Sequence, residues 1–184
     1  MRPDILKTQR LYLPLPVSQL HELMVAYCQT EFDRRGECAP TFIVQVPGWL
    51  VWIKTPWEDN GDKFASTEMI SSLLKELHGI SYAFAAEVFV SVYDAAEVRE
   101  GNYEPPSRRK QRDDVLMIMS FQRDRKGPLF TRFLVNVRPP GKYNFLGPRV
   151  DEPEADYMSG DLMNLFLTLE ERRAYVDQVM EDKP

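Results

Sequence analysis

The side chains that could carry switchable chemistry are few. The 184-residue chain holds two cysteines, Cys28 and Cys38, and two histidines, His21 and His78. His21 and Cys28 fall two turns apart on a helical face, about 10 Å along the axis, too far for the imidazole to serve as the thiol's base. The cysteines form neither a CxxC pair nor a cluster with histidine, so both are expected as free thiols in a reducing compartment. Glu87, Asp94, Asp113 and Asp114 are the carboxylates a magnesium-dependent nuclease would need. Adjacent residues entering a strand point to opposite faces, however, so only one of Asp113 and Asp114 can aim at a given ion. Glu87 lies in an apolar strand, where a carboxylate needs a partner, and an arginine is the expected one. GxxxxGK[ST], GxGxxG, GxSxG, HExxH and zinc-ligand spacings do not occur. No catalytic residue, metal or cofactor is therefore expected.

The remaining candidate is a charged crossover, NYEPPSRRKQRDDVLMIMS, residues 102–120. Between Arg99 and Arg132 there are nine basic and five acidic residues, net +4, against −9 in the rest of a chain whose total is −5. Tyr103, Arg108, Arg109, Lys110 and Arg112 are the expected binding residues. The cations can dock an acidic protein surface, and the tyrosine can stack. Overall acidity opposes generic attraction to nucleic acid, which leaves binding to a protein partner as the first expectation and a nucleic-acid grip through 108–112 as the alternative. A carboxylate-metal nuclease comes third. A second basic turn, with Arg123, Arg125 and Lys126, emerges from the other end of the same strand and cannot join the first cluster.

The elements that must position these residues are legible from periodicity. After Pro14 and Pro16, the helical spacing of Leu20, Met24, Tyr27 and Cys28 predicts a first helix, with Ser18 as its cap and Gly36 as its stop. TFIVQV and WLVWIKT around Pro47-Gly48 predict a β-hairpin. A second helix is expected over 64–77, with Ile70, Leu73, Leu74 and Leu77 as its stripe. Three strands follow: a long one from Ile80, with Glu87 and Phe89 on the face opposite Phe84 and Val88, then VLMIMSFQRD, then LFTRFLVNV after a turn at Gly127-Pro128. The last two must run antiparallel, because so short a connection makes no parallel crossover.

The fold class implied is α+β: a two-layer, mainly antiparallel sheet packed by two helices on one face, in the order α-β-β-α-β-β-β. Residues 1–138 are expected to form this core. Residues 139–184 are expected to form an extended Pro/Gly-rich loop and an acidic amphipathic helix. That helix opens on the capping box Thr168 to Glu171 and carries Val176, Val179 and Met180. It offers a second docking or homo-oligomer surface. No stretch approaches the ~20 apolar residues of a membrane span, and the start of the chain lacks a secretory pattern, so a soluble, cytoplasmic protein is expected.

Thr55-Pro56-Trp57, followed by acidic residues, the strand Phe84-Ala-Ala-Glu87-Val88-Phe89, and the loop Pro106-Ser107-Arg108 resemble marks shared by a group of small bacterial and phage proteins with no assigned activity. The Val88-Phe89 pair departs from the group's Ala-Trp form. The resemblance spans about residues 40 to 137 and implies an accessory protein of a bacterium or phage. It carries no catalytic residues over.

Overall fold

The computed structural model describes residues 3–90, 108, 110, 112–125, 127–136, 142–152, 165–167, 170 and 171. Their order is β1 (Asp4–Arg10), α1 (Val17–Arg35), β2 (Thr41–Val46), β3 (Trp49–Lys54), α2 (Asn60–Glu76), β4 (Ser81–Val90), β5 (Asp113–Gln122), β6 (Leu129–Asn136) and β7 (Phe145–Glu152). The strands form one seven-stranded sheet, ordered β1-β3-β2-β4-β5-β6-β7, with every neighbouring pair antiparallel.

Local chemistry explains most boundaries. Leu20, Met24, Cys28 and Phe32 recur every four residues and are buried along α1. Pro16, rather than Ser18, occupies the cap position, and no side chain caps this end; proline's fixed φ suits the helix start and it has no N–H to satisfy. Gly36 ends α1 in the left-handed conformation, its N–H bonded to the Phe32 carbonyl at 2.8 Å. The second helix starts four residues earlier than its apolar stripe implies, because the Asp59 carboxylate accepts from the Asp62 N–H and opens the first turn. Within that stripe Ile70 and Leu74 are buried, whereas Leu77 lies beyond the helix and is exposed. Both predicted hairpins form, with Gly48 and Gly127 at positive φ in their turns.

The expectation that both helices cover one face is corrected. Ile43, Leu50, Trp52, Ala83, Ala85, Leu116, Ile118, Phe133 and Val135 pack with the α1 stripe. The alternate strand residues Phe42, Val44, Ile53, Tyr82, Phe84, Met117, Met119 and Phe130 pack with Ile70 and Leu74 of α2. Side chains of a strand alternate between faces, so the sheet lies between two helices as the middle of three layers. The physical reason is visible in β2, where all six residues are buried: a strand covered on both sides needs a helix on each.

Two strands join the sheet beyond those expected. β1 pairs with β3 although all seven of its residues are exposed, and its register shifts between Ile5 and Lys7. β7 falls where an extended Pro/Gly-rich loop was expected, and it pairs with β6. The segment is extended, but it is hydrogen-bonded into the same sheet as the residues before 138. Leu165 returns to the α2 side, its N–H bonded to the Tyr82 hydroxyl at 2.9 Å and its carbonyl accepting from Ser71. The expected C-terminal helix and its docking face lie outside the described residues, apart from Glu170 and Glu171, which are helical. No helix among the described residues is long and apolar enough to cross a membrane.

Candidate binding surface

β4 and β5 pair over ten positions, and only part of that ladder is buried. The first six residues of β4 are buried; Glu87, Phe89 and Val90 at its far end are exposed. Phe89 stands opposite Asp114 and Val90 opposite Asp113. Glu87, Phe89 and Asp114 therefore share the α1 face, and Asp113 belongs to the other, as strand alternation requires. The two aspartates do not converge on Glu87.

At this end of the ladder the Arg112 guanidinium lies 4.1 Å from the centre of the Phe89 ring, and Phe89 remains 45% exposed. A cation over an aromatic face is drawn to the ring's negative quadrupole, which orients Arg112 across the strand end. Arg108 and Lys110 are exposed beside it in sequence. Tyr103 and Arg109, expected in the same cluster, lie outside the described residues, as does Asp94. Phe89 was not singled out from sequence as a site residue. The signal for it was present: a large aromatic two residues beyond Glu87 on a strand face already carrying a charge.

The Glu87 carboxylate meets a backbone group rather than the arginine expected, accepting from the Cys38 N–H at 2.7 Å. Partial burial of the carboxylate at this contact pushes its pKa up, and Glu37 and Asp114 push it further, against the opposing effect of the Cys38 N–H. Cys28 and Cys38 are both free and both buried.

The second basic turn is partly spent on structure. Arg123 donates from Nε to the Gly79 carbonyl at 2.9 Å and from its terminal nitrogen to the Leu74 carbonyl at 3.4 Å, and it stands 4.9 Å over the Phe166 ring. It satisfies carbonyls at the negative end of α2. Arg123→Ala is expected to lower stability by about 1 kcal/mol, read as a melting temperature about 2–4 °C lower; an unchanged melting temperature would remove this capping role.

Among the described residues, the polar constellation that resembles a catalytic relay is built on His21. Its Nδ1 lies 2.8 Å from Ser120 Oγ and its Nε2 2.8 Å from Thr131 Oγ1. The Thr131 hydroxyl donates to Asp151, so its oxygen accepts from His21 Nε2–H, and Nδ1 is left to accept from Ser120. Arg149 bonds Asp151 at 2.8 Å and grips both oxygens of Glu22 at 2.8 and 2.6 Å. Ser120 is 0% exposed, so its hydroxyl cannot meet a substrate, and the relay is a clamp holding α1 to β5, β6 and β7. Burial lowers the His21 pKa, with Arg149 adding to it against the pull of Glu22 and Asp151. Sequence reading missed the clamp because its members are separated by 99 and 110 residues.

Comparison of the chain with protein-family models, with curated proteins and with solved structures returns no match. The functional reading therefore rests on the surface itself.

Proposed function

We propose that the protein is a binding module that docks an acidic, apolar-studded segment of another protein at the end of the β4–β5 ladder. The observation that carries this is the exposed Phe89 ring with Arg112 laid across it at 4.1 Å. Arginine and large aromatics dominate the energetics of protein interfaces, because each combines a broad apolar surface with directed charge or polarity. Arg108 and Lys110 add positive charge to that edge, and Phe89 supplies the apolar anchor. An accessory role in a bacterium or phage is the setting the resemblance implies.

The second reading, a single-stranded nucleic acid stacked on Phe89, uses the same residues, and salt separates the two. Fluorescence anisotropy with two labelled probes is the test: a peptide alternating Glu or Asp with Phe or Leu, and a single-stranded oligonucleotide. The peptide is expected to bind, with affinity reduced at least tenfold in Phe89→Ala and in the triple variant R108E/K110E/R112E. Indifference of peptide binding to both variants would sink the proposal. Oligonucleotide binding whose affinity falls linearly on a log–log salt plot, with no peptide binding, would replace it by the nucleic-acid reading.

A further inference from the structure

Cys28 sits on the buried stripe of α1, and Cys38 lies in the short connection between the Gly36 stop and β2. Their sulfurs are 3.6 Å apart, and the Cys38 sulfur also lies 3.7 Å from the Ala39 carbonyl oxygen. Both side chains belong to one buried core cluster, which also holds Phe32, Ile43 and Ala85. The geometry points to an oxidisable dithiol: Cys28 and Cys38 close to a disulfide when a hydroperoxide reaches them, making the α1–β2 connection a redox-sensitive element.

Three features favour closure over further oxidation of a single sulfur. The sulfurs already touch, and a bond of about 2.05 Å requires an approach of roughly 1.5 Å. That movement falls on the irregular connection carrying Cys38, since Cys28 is fixed by its helix. Finally, the two sulfurs differ in standing. The hydrogen bond with Cys38 and burial push the Cys28 thiol well up, and its fixed place on the buried helix stripe makes it the resolving partner. Cys38 gains access to solvent whenever its connection opens, and local opening of such segments costs less than global unfolding.

The chemistry balances with hydrogen peroxide, the simplest hydroperoxide, as the only co-reactant. The Cys38 thiolate attacks the peroxide oxygen, the O–O bond breaks, and Cys38 becomes a sulfenic acid as hydroxide leaves and takes up the thiol proton as water. The Cys28 sulfur then attacks the sulfenic sulfur. The S–OH bond breaks, its hydroxide leaves as water with the Cys28 proton, and the S–S bond forms. Two thiols are oxidised by two electrons and one peroxide is reduced to two waters.

The experiment is to treat the folded full chain with hydrogen peroxide, alkylate in denaturant and map the peptides by mass. The expected product has lost two hydrogens, joins the Cys28 peptide to the Cys38 peptide within one chain, and reverts with dithiothreitol. The oxidised chain is expected to melt about 5 °C higher, because the cross-link restricts the unfolded ensemble. Two thiols that both remain alkylatable, a sulfinic acid on Cys38 without a cross-link, or cross-links only between chains would each overturn the inference. In Cys28→Ala the resolving sulfur is gone, and dimedone is expected to label Cys38 of the folded variant; a folded variant left unlabelled overturns the role given to Cys38. Should that variant fail to fold, the peptide map of the unsubstituted chain decides alone.

Discussion

Replacing His21 by alanine is expected to destabilise the protein by about 3 kcal/mol or more, since it strips partners from two buried hydroxyls and leaves a cavity under α1. Ser120 and Thr131 are both 0% exposed, so neither can turn to bulk water for a replacement bond. The pH dependence tests the same clamp from another direction. Burial lowers the His21 pKa from its usual 6.5, so the unfolded chain binds the proton more readily than the folded one. Stability from this group is therefore present above about pH 6.5 and lost as the pH falls through the folded pKa. The groups facing His21 act lower down. Arg149 holds the Glu22 and Asp151 carboxylates below their usual 4.5 and 3.8, with Thr131 also lowering Asp151, so their contribution fades only in more acid solution. Both are largely exposed, and solvent screens what they add. Glu87, whose pKa is raised, runs the opposite way and gains on acidification. Urea denaturation between pH 5 and 8 should show stability rising with pH in the unsubstituted chain and a flatter profile in His21→Ala; equal slopes would show that His21 does not carry the effect.

Gly36→Ala is expected to cost about 3 kcal/mol, far more than the loss of glycine's backbone freedom alone. The residue sits at φ +70, and an added Cβ would lie 2.6 Å from the Asn144 nitrogen and 2.7 Å from the Tyr143 Cβ. The left-handed conformation costs a non-glycine residue about 1 kcal/mol; the remainder comes from driving Tyr143 and Asn144, which lead into β7, away from the end of α1. Gly48 and Gly127 provide the control, because both have positive φ and neither has any atom within 4 Å of an added Cβ. Gly48→Ala and Gly127→Ala should each cost only about 1 kcal/mol. Thermal melts of the three variants settle the matter: if Gly36→Ala falls level with the other two, the close approach of residues 143–144 has no energetic weight.

The parts of the fold that were legible are those written in local chemistry. Pro47-Gly48 and Gly127-Pro128 announce hairpins, and the four-residue spacing of Leu20, Met24 and Cys28 announces α1. The choice of helix face was not legible in the same way. TFIVQV alternates only in part, since Ile43 on the α1 face is as apolar as Phe42 on the α2 face. That weak alternation is itself the mark of a strand covered twice, and it was the clue to three layers. β7 escaped detection because Gly147 and Pro148 break its apolar pattern; an edge position tolerates both, the proline having no inner ladder bond to supply. At the candidate surface the cations were readable as a run of charge. The anchoring ring of Phe89 was signalled only by its place two residues beyond Glu87 on the same strand face; the β4–β5 register is what puts it past the helix-covered core. The Cys28–Cys38 contact follows from α1 ending at Gly36 and the chain doubling back into β2, a turn of path that spacing alone does not give.

The sheet that divides the core also divides its vulnerabilities. Neighbouring residues of one strand, such as Ile43 and Val44, answer to different helices. A lesion under α1 can therefore loosen that helix while α2 keeps its seat, and the reverse holds as well. The molecule has two separately replaceable covers over a shared frame, and the central strands β2, β4 and β5 are the last amides that either kind of damage would open to exchange.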